Sequence, residues 1–229
     1  MSRPPETALA VEKLLRDLGP QLRRGGLPDE SLPRFPTGID AVDQLLGGGF
    51  PRGRLSEVTG SASSGRTSLA LTLLAHSTAA GEVCAVVDAA DGFDPLAAEA
   101  AGVALGRVLW ARAPSLRSAV RSTSRLLEAE GFGLVLLNLA AAGLRPPAPL
   151  CTRLSRAAAG TQTALVVLGL ERTEGASPEL VLEMSAARAH FSGTPCLLEA
   201  LEVEAHLVRH RTRPADRRAR VRLRASDAA

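Results

Sequence analysis

Two hydrophobic rhythms divide this chain. Between residues 55 and 170, short apolar runs at 55–59 (LSEVT), 83–89 (VCAVVDA), 107–111 (RVLWA), 134–140 (LVLLNLA) and 164–170 (ALVVLGL) alternate with longer stretches at 67–80, 95–102, 115–130 and 150–159. Runs of strand length, each followed by a stretch of helix length, predict a parallel sheet covered on both faces. After Ser177 the alternation stops. Three strand-like segments, 180–191, 196–210 and 218–225, follow one another through turns rich in Gly, Pro and charge, which predicts antiparallel pairing. The expected fold class is therefore α/β, a mostly parallel sheet with helices on both faces and antiparallel strands at its C-terminal edge.

Ahead of this region, residues 6–18 (ETALAVEKLLRDL) set Val11, Leu14, Leu15 and Leu18 on one face at helical spacing, with Pro4 and Pro5 just before them. Residues 19–34 carry Gly, Pro and charge without a period and read as a linker. The expected organisation is an N-terminal amphipathic helix with its linker over 1–34 and one core domain over 35–229, a length sufficient for a single packed core. The apolar face of the helix must be buried, either on its own domain or on a partner.

Composition narrows the classes. The net charge of +3, from 27 basic and 24 acidic residues, does not by itself argue for nucleic acid. Cys84, Cys151 and Cys196 are widely spaced, and the four histidines, His76, His190, His206 and His210, show no ligand spacing. Neither a disulfide framework nor a zinc site is expected. No apolar run reaches the roughly 18 residues of a membrane span, so a cytoplasmic protein without a membrane partner is expected. Trp110, at the end of a predicted strand, is expected to pack rather than to stack on a base.

The stretch from Gly60 to Ser68 reads GSASSGRTS, the frame G-x-x-x-x-G-K-[ST] of a phosphate-binding loop with Arg66 where lysine belongs. Such a loop works because a strand ends in a turn of backbone N–H groups around the phosphates, with a helix N-terminus behind it. LSEVT, the glycines Gly60 and Gly65, and a helical run starting at Thr67 and Ser68 supply that order. A bulky planar guanidinium is not a conservative replacement for a compact ammonium at so crowded a place.

The flanks extend the likeness. Residues 35–60 (FPTGIDAVDQLLGGGFPRGRLSEVTG), the loop, and residues 86–95 (VVDAADGFDP) together resemble the RecA family of recombinases over most of the chain. The resemblance implies a RecA-type core with ATP held between neighbouring protomers of a filament on DNA. Carried over one position at a time, it also implies losses. The loop lysine falls on Arg66 and the water-activating glutamate on Ala90, which cannot take a proton. The metal-binding aspartate falls on Asn138, a weaker support for magnesium than a carboxylate. The adenine-stacking tyrosine falls on Ala97, whereas its neighbouring aspartate is kept as Asp94. Gly169 and Leu170 occupy the stretch where the phosphate-sensing glutamine is expected. The cofactor-binding positions are thus Gly60, Gly65, Arg66, Thr67, Ser68 and Asp94, in a site expected to hold no cofactor, with magnesium-ATP as the alternative.

The DNA side is reduced as well. The segments matching the family's two DNA-binding loops are short, near 143–150 and 171–178, and offer Arg145 and Arg172 as phosphate contacts. A basic stretch, 207–224, carries Arg209, Arg211, Arg213, Arg217, Arg218, Arg220, Arg222 and Arg224. It is either a nucleic-acid or acidic-partner contact or a solvated edge hairpin. Arg209 and Arg211 also match the family's basic pair that reaches toward a neighbour's ATP.

Among RecA relatives, the degenerate SGRTSLAL loop, the VLW strand and the lost metal-binding acid look like the ImuA family. That resemblance implies a non-catalytic accessory protein of SOS-induced translesion synthesis. Its partners would be RecA, ImuB with an error-prone polymerase, and single-stranded or duplex DNA, with Val11, Leu14, Leu15 and Leu18 as a docking face for RecA. Two readings stand beside it: a slow ATPase in which Asp91 or another acid such as Asp88 replaces the missing glutamate, and a nucleic-acid-binding module that uses the 209–224 hairpin.

Overall fold

A computed structural model describes residues 32–89, 91–140 and 144–224. The predicted helix face at Val11, Leu14, Leu15 and Leu18, and the position of Ala90, lie outside the described residues.

Strands β1 (Arg34–Phe35) and β2 (Phe50–Pro51) form a small antiparallel ribbon. They bracket helix α1 (Asp40–Leu46), which buries Val42, Leu45 and Leu46. Its first turn is tied by two bonds: the Thr37 N–H donates to Asp43 Oδ1 at 2.8 Å, and the Ile39 N–H donates to Thr37 Oγ1 at 3.1 Å. It ends at Gly47, whose φ of 78° is the left-handed conformation that glycine tolerates at a helix C-terminus.

The main sheet then alternates with helices in the predicted order: β3 (Leu55–Thr59), α2 (Arg66–Ala79), β4 (Cys84–Asp88), α3 (Pro95–Ala100), β5 (Val108–Arg112), α4 (Leu116–Glu128), β6 (Leu134–Asn138), α5 (Ala148–Ala158) and β7 (Ala164–Gly169). Three strands complete it: β8 (Leu180–Ser192), β9 (Leu197–His210) and β10 (Arg217–Arg224). The strand order is β10-β9-β8-β3-β7-β6-β4-β5. From β8 to β5 every pairing is parallel, and β9 and β10 pair antiparallel. This is the α/β architecture expected from the sequence, with the antiparallel strands at one edge.

Both faces of the sheet are packed, which is why the parallel strands are apolar on both sides. Leu73 and Leu74 of α2 share one core with Val58, Val86, Leu136 and the β8–β10 residues Leu182, Val203 and Leu223. On the other face, Val120 and Leu127 of α4 and Leu154 of α5 pack with Leu55, Val87, Val135, Leu137 and Val167. Trp110 is half-buried, edge-on to Phe93 with ring centroids 5.5 Å apart, and packs against the first core as expected. Burial pushes the Cys84 thiol up to about 12 and the Cys151 thiol up to about 11, so both are inert packing residues. Among the described residues, no helix is long and apolar enough to cross a membrane and no cluster of His, Cys, Asp or Glu could hold a metal.

Parallel pairing sets the strand ends level. Thr59 lies beside Gly169, and Asn138 lies between Leu168 and Asp88. The crevice along these carboxyl ends, where the strand order reverses, is where open α/β sheets bind ligands.

Candidate functional site

From Thr59 the chain turns through Gly60–Gly65 into α2, so the strand-loop-helix order predicted around GSASSGRTS is present. The turn needs its glycines. Gly65 has a φ of 84°, and a Cβ placed there would lie 2.6 Å from Val203 Cγ1 and 2.8 Å from Leu223 Cδ1. The loop is thus clamped from behind by β9 and β10. Thr67 is exposed and Ser68 half-buried at the start of the helix.

Arg66 does not face the crevice. Its side chain is folded back into the loop, only 8% exposed, and Nη1 donates to the carbonyl oxygens of Gly60 and of Gly169, the latter at 2.9 Å. Burial pulls its pKa below the ordinary guanidinium value, though such a group stays charged at neutral pH. Gly169 and Leu170 occupy the stretch where a phosphate-sensing glutamine is expected, and Gly169 supplies a carbonyl to the arginine instead. The cation that would meet a phosphate in an active loop is spent on joining the loop to the end of β7.

The remaining positions are likewise engaged with the protein itself. Asn138 Nδ2 donates to Asp88 Oδ1 at 3.3 Å, and Asn138 Oδ1 accepts from the Ala140 N–H at 3.3 Å. Asp88, 1% exposed, accepts from the Phe93 N–H at 2.8 Å through its other oxygen. Asp94 caps α3 by accepting from the Leu96 N–H at 2.9 Å. Asp91 is paired with Arg112 on the surface. Asp88 and Asp91 are thus each engaged by a donor of the protein itself.

Thr67, Asn138, Asp94 and Ala97 do meet around one cavity, floored by Leu136 and Leu168 and walled by Leu71 and Leu74. It measures about 70 Å³, whereas pockets for cofactor-sized ligands run to about 300–1,000 Å³. Its wall is mainly aliphatic. The residues present do not fit a magnesium–nucleotide: the cation is bonded within the loop, and the amide at the metal-binding position is occupied.

On the two loops read as DNA contacts, Arg145 is paired with Glu171, and Arg172 is exposed among Glu171 and Glu174. The arginines of the hairpin differ in their settings. On the edge strand, Arg218 pairs with Glu204 at 2.8 Å and Arg222 with Glu199 at 3.9 Å, while Arg220 lies directly across from Glu204. Alternating cross-strand charges of this kind stabilise a solvated sheet surface. Arg213 lies over Gly47, where an added Cβ would meet its guanidinium, so it serves the negative end of α1. Arg211 and Arg217 are exposed and Arg209 is half-buried. The backbone of Arg224 closes β10.

Two buried groups escaped the sequence reading. His210, 7% exposed, accepts at Nδ1 from the backbone N–H groups of Thr212 (3.3 Å) and Arg213 (3.2 Å). Burial, with Arg34 and Arg213 nearby, pulls its pKa down to about 4, so it is neutral at pH 7. Glu57, in the middle of β3, is 3% exposed. Its Oε2 accepts from the Thr173 N–H at 3.4 Å and its Oε1 has no hydrogen-bond partner. Burial raises its pKa, against the hydrogen bonds from Thr173 and the charges of Arg172 and Arg209. A carboxylate in the middle of a strand predicted to lie inside the sheet was the available signal.

The RecA N-terminal domain family matches residues 8–179. Protein RecA of Picosynechococcus sp. is 31% identical over 169 residues, covering 73% of this chain and 48% of that protein. Protein RecA of Symbiobacterium thermophilum is 32% identical over 184 residues, 77% of this chain and 52% of that protein. Protein RecA of Chlorobaculum parvum is 34% identical over 174 residues, 73% and 49%. The chain spans about half the length of the curated relatives it matches.

Proposed function

The chain belongs to the RecA family, and on that premise we propose that it is a non-catalytic, RecA-like accessory protein of the ImuA kind. It acts in SOS-induced translesion DNA synthesis through contacts with RecA, ImuB and DNA, and helps to bring an error-prone polymerase to damaged template. The observation that carries this reading is Arg66, buried in the loop and bonded to Gly60 and Gly169. A protein that has turned its phosphate-binding cation into a structural tie retains the RecA shape without the RecA reaction. That shape is what a RecA filament, or a protein that recognises one, would bind.

A direct test adds the purified protein to RecA on single-stranded DNA with ATP and follows phosphate release and co-elution. The expected result is a complex with RecA and a changed RecA turnover rate, with no phosphate release by the added protein alone. Unchanged RecA turnover together with absence of a complex contradicts the reading.

A second reading, a nucleic-acid-binding module, is favoured by the exposure of Arg211, Arg217 and Arg220. It requires DNA affinity that falls steeply with salt, as counterion release dictates.

A further inference from the structure

An open cleft of about 520 Å³ lies at the carboxyl ends of β3 and β7, beside Glu183 near the start of β8. Its rim carries Glu171, Glu174 and Glu183, all exposed, against one cation, Arg172. Glu171 also contacts Arg145 on the neighbouring loop. Leu170, 40% exposed, adds an apolar surface to the same wall. Acidic rims are common on solvated loops and mean little alone. Here a second observation lies beneath. The floor continues into a cavity of about 10 Å³ that shares Thr59, Glu171 and Thr173 with the cleft and is lined by Glu57. Glu57 is 3% exposed, and its Oε1 has no hydrogen-bond partner. A buried carboxylate oxygen left without a donor costs free energy unless something supplies one. The inner cavity has room for about one water, so a larger head group stays in the open cleft with Glu57 below it.

We propose that this cleft is a docking site for an arginine-bearing segment of a protein partner. Glu174 and Glu183, with Glu171 shared with Arg145 and Glu57 reached through a single water beneath, complement a cation, and the guanidinium fork supplies donors to carboxylates on more than one side. The exposed Leu170 offers packing for the aliphatic stem of the same side chain. The polyanionic backbone of a nucleic acid is repelled by the same charges. The inference goes beyond the reading of the nucleotide site, and it stands or falls independently of it.

The test uses the full chain and a fluorescein-labelled peptide with arginines spaced in a Gly/Ser background, read by anisotropy at moderate salt. The cleft variant Glu171→Gln/Glu174→Gln/Glu183→Gln is compared with a surface variant of equal charge change, Glu99→Gln/Glu128→Gln/Glu130→Gln. Loss of close charge pairs predicts about ten-fold weaker binding in the cleft variant and less than about two-fold in the other. The near-isosteric Glu57→Gln leaves the rim in place and is expected to weaken binding by a smaller factor. Circular dichroism checks that each variant is folded. The proposal is overturned if the intact protein does not bind the peptide, if both triple variants weaken it equally, or if oligo(dT) binds the intact protein at this cleft and the cleft variant loses that binding.

Discussion

Arg66→Ala lowers the stability of the folded chain by about 2–3 kcal/mol, read in urea as an earlier midpoint at unchanged slope. The estimate follows from what the side chain does. Its Nη1 holds two carbonyl oxygens, of Gly60 and Gly169, that belong to the loop and to the end of β7. Hydrogen bonds to charged groups contribute about 1.5–3 kcal/mol each, and part of that is offset because the guanidinium no longer has to be buried. In an active phosphate-binding loop the same position faces the ligand, and its removal would cost binding rather than stability. The sign therefore separates a structural arginine from a catalytic one. An alanine variant as stable as the parent contradicts the role assigned to Arg66.

Gly65→Ala is expected to cost about 2–4 kcal/mol by the same measurement, from left-handed backbone strain and from overpacking. The φ of 84° alone disfavours any Cβ, and the new atom would sit 2.6 Å from Val203 Cγ1 and 2.8 Å from Leu223 Cδ1. Both partners are buried, Val203 completely and Leu223 at 4% exposure, so neither has open space to move into. The loop is thereby fastened to β9 and β10, far along the chain. A drop in stability of less than about 1 kcal/mol would mean that these strands are not packed on the loop as described.

Periodicity made the layered fold legible, because buried parallel strands are unbroken apolar runs and the helices between them have length. The three C-terminal strands were equally plain from their turn residues. The ribbon of β1 and β2 with α1 between them was not, since two-residue strands and a seven-residue helix are too short to show a period. They are held instead by Thr37, Asp43 and Gly47. At the candidate site the sequence showed which family residues had changed but not where the replacements point. Nothing in GSASSGRTS says that the guanidinium turns inward to Gly169, because that depends on a strand more than 100 residues away. Nor does the run of arginines after residue 207 disclose its partners. Register places Arg220 across from Glu204 and Arg222 across from Glu202, and register appears only when the strands are paired.

The role of Arg66 implies that GSASSGRTS no longer serves a nucleotide. Titration of the purified protein with magnesium-ATP by calorimetry, with phosphate release followed in parallel on single-stranded DNA, tests this most directly. Neither saturable heat nor phosphate release is expected, because the Arg66 guanidinium is bonded to the carbonyls of Gly60 and Gly169. Saturable binding with turnover abolished by Thr67→Ala would contradict that role and return the protein to the active ATPases.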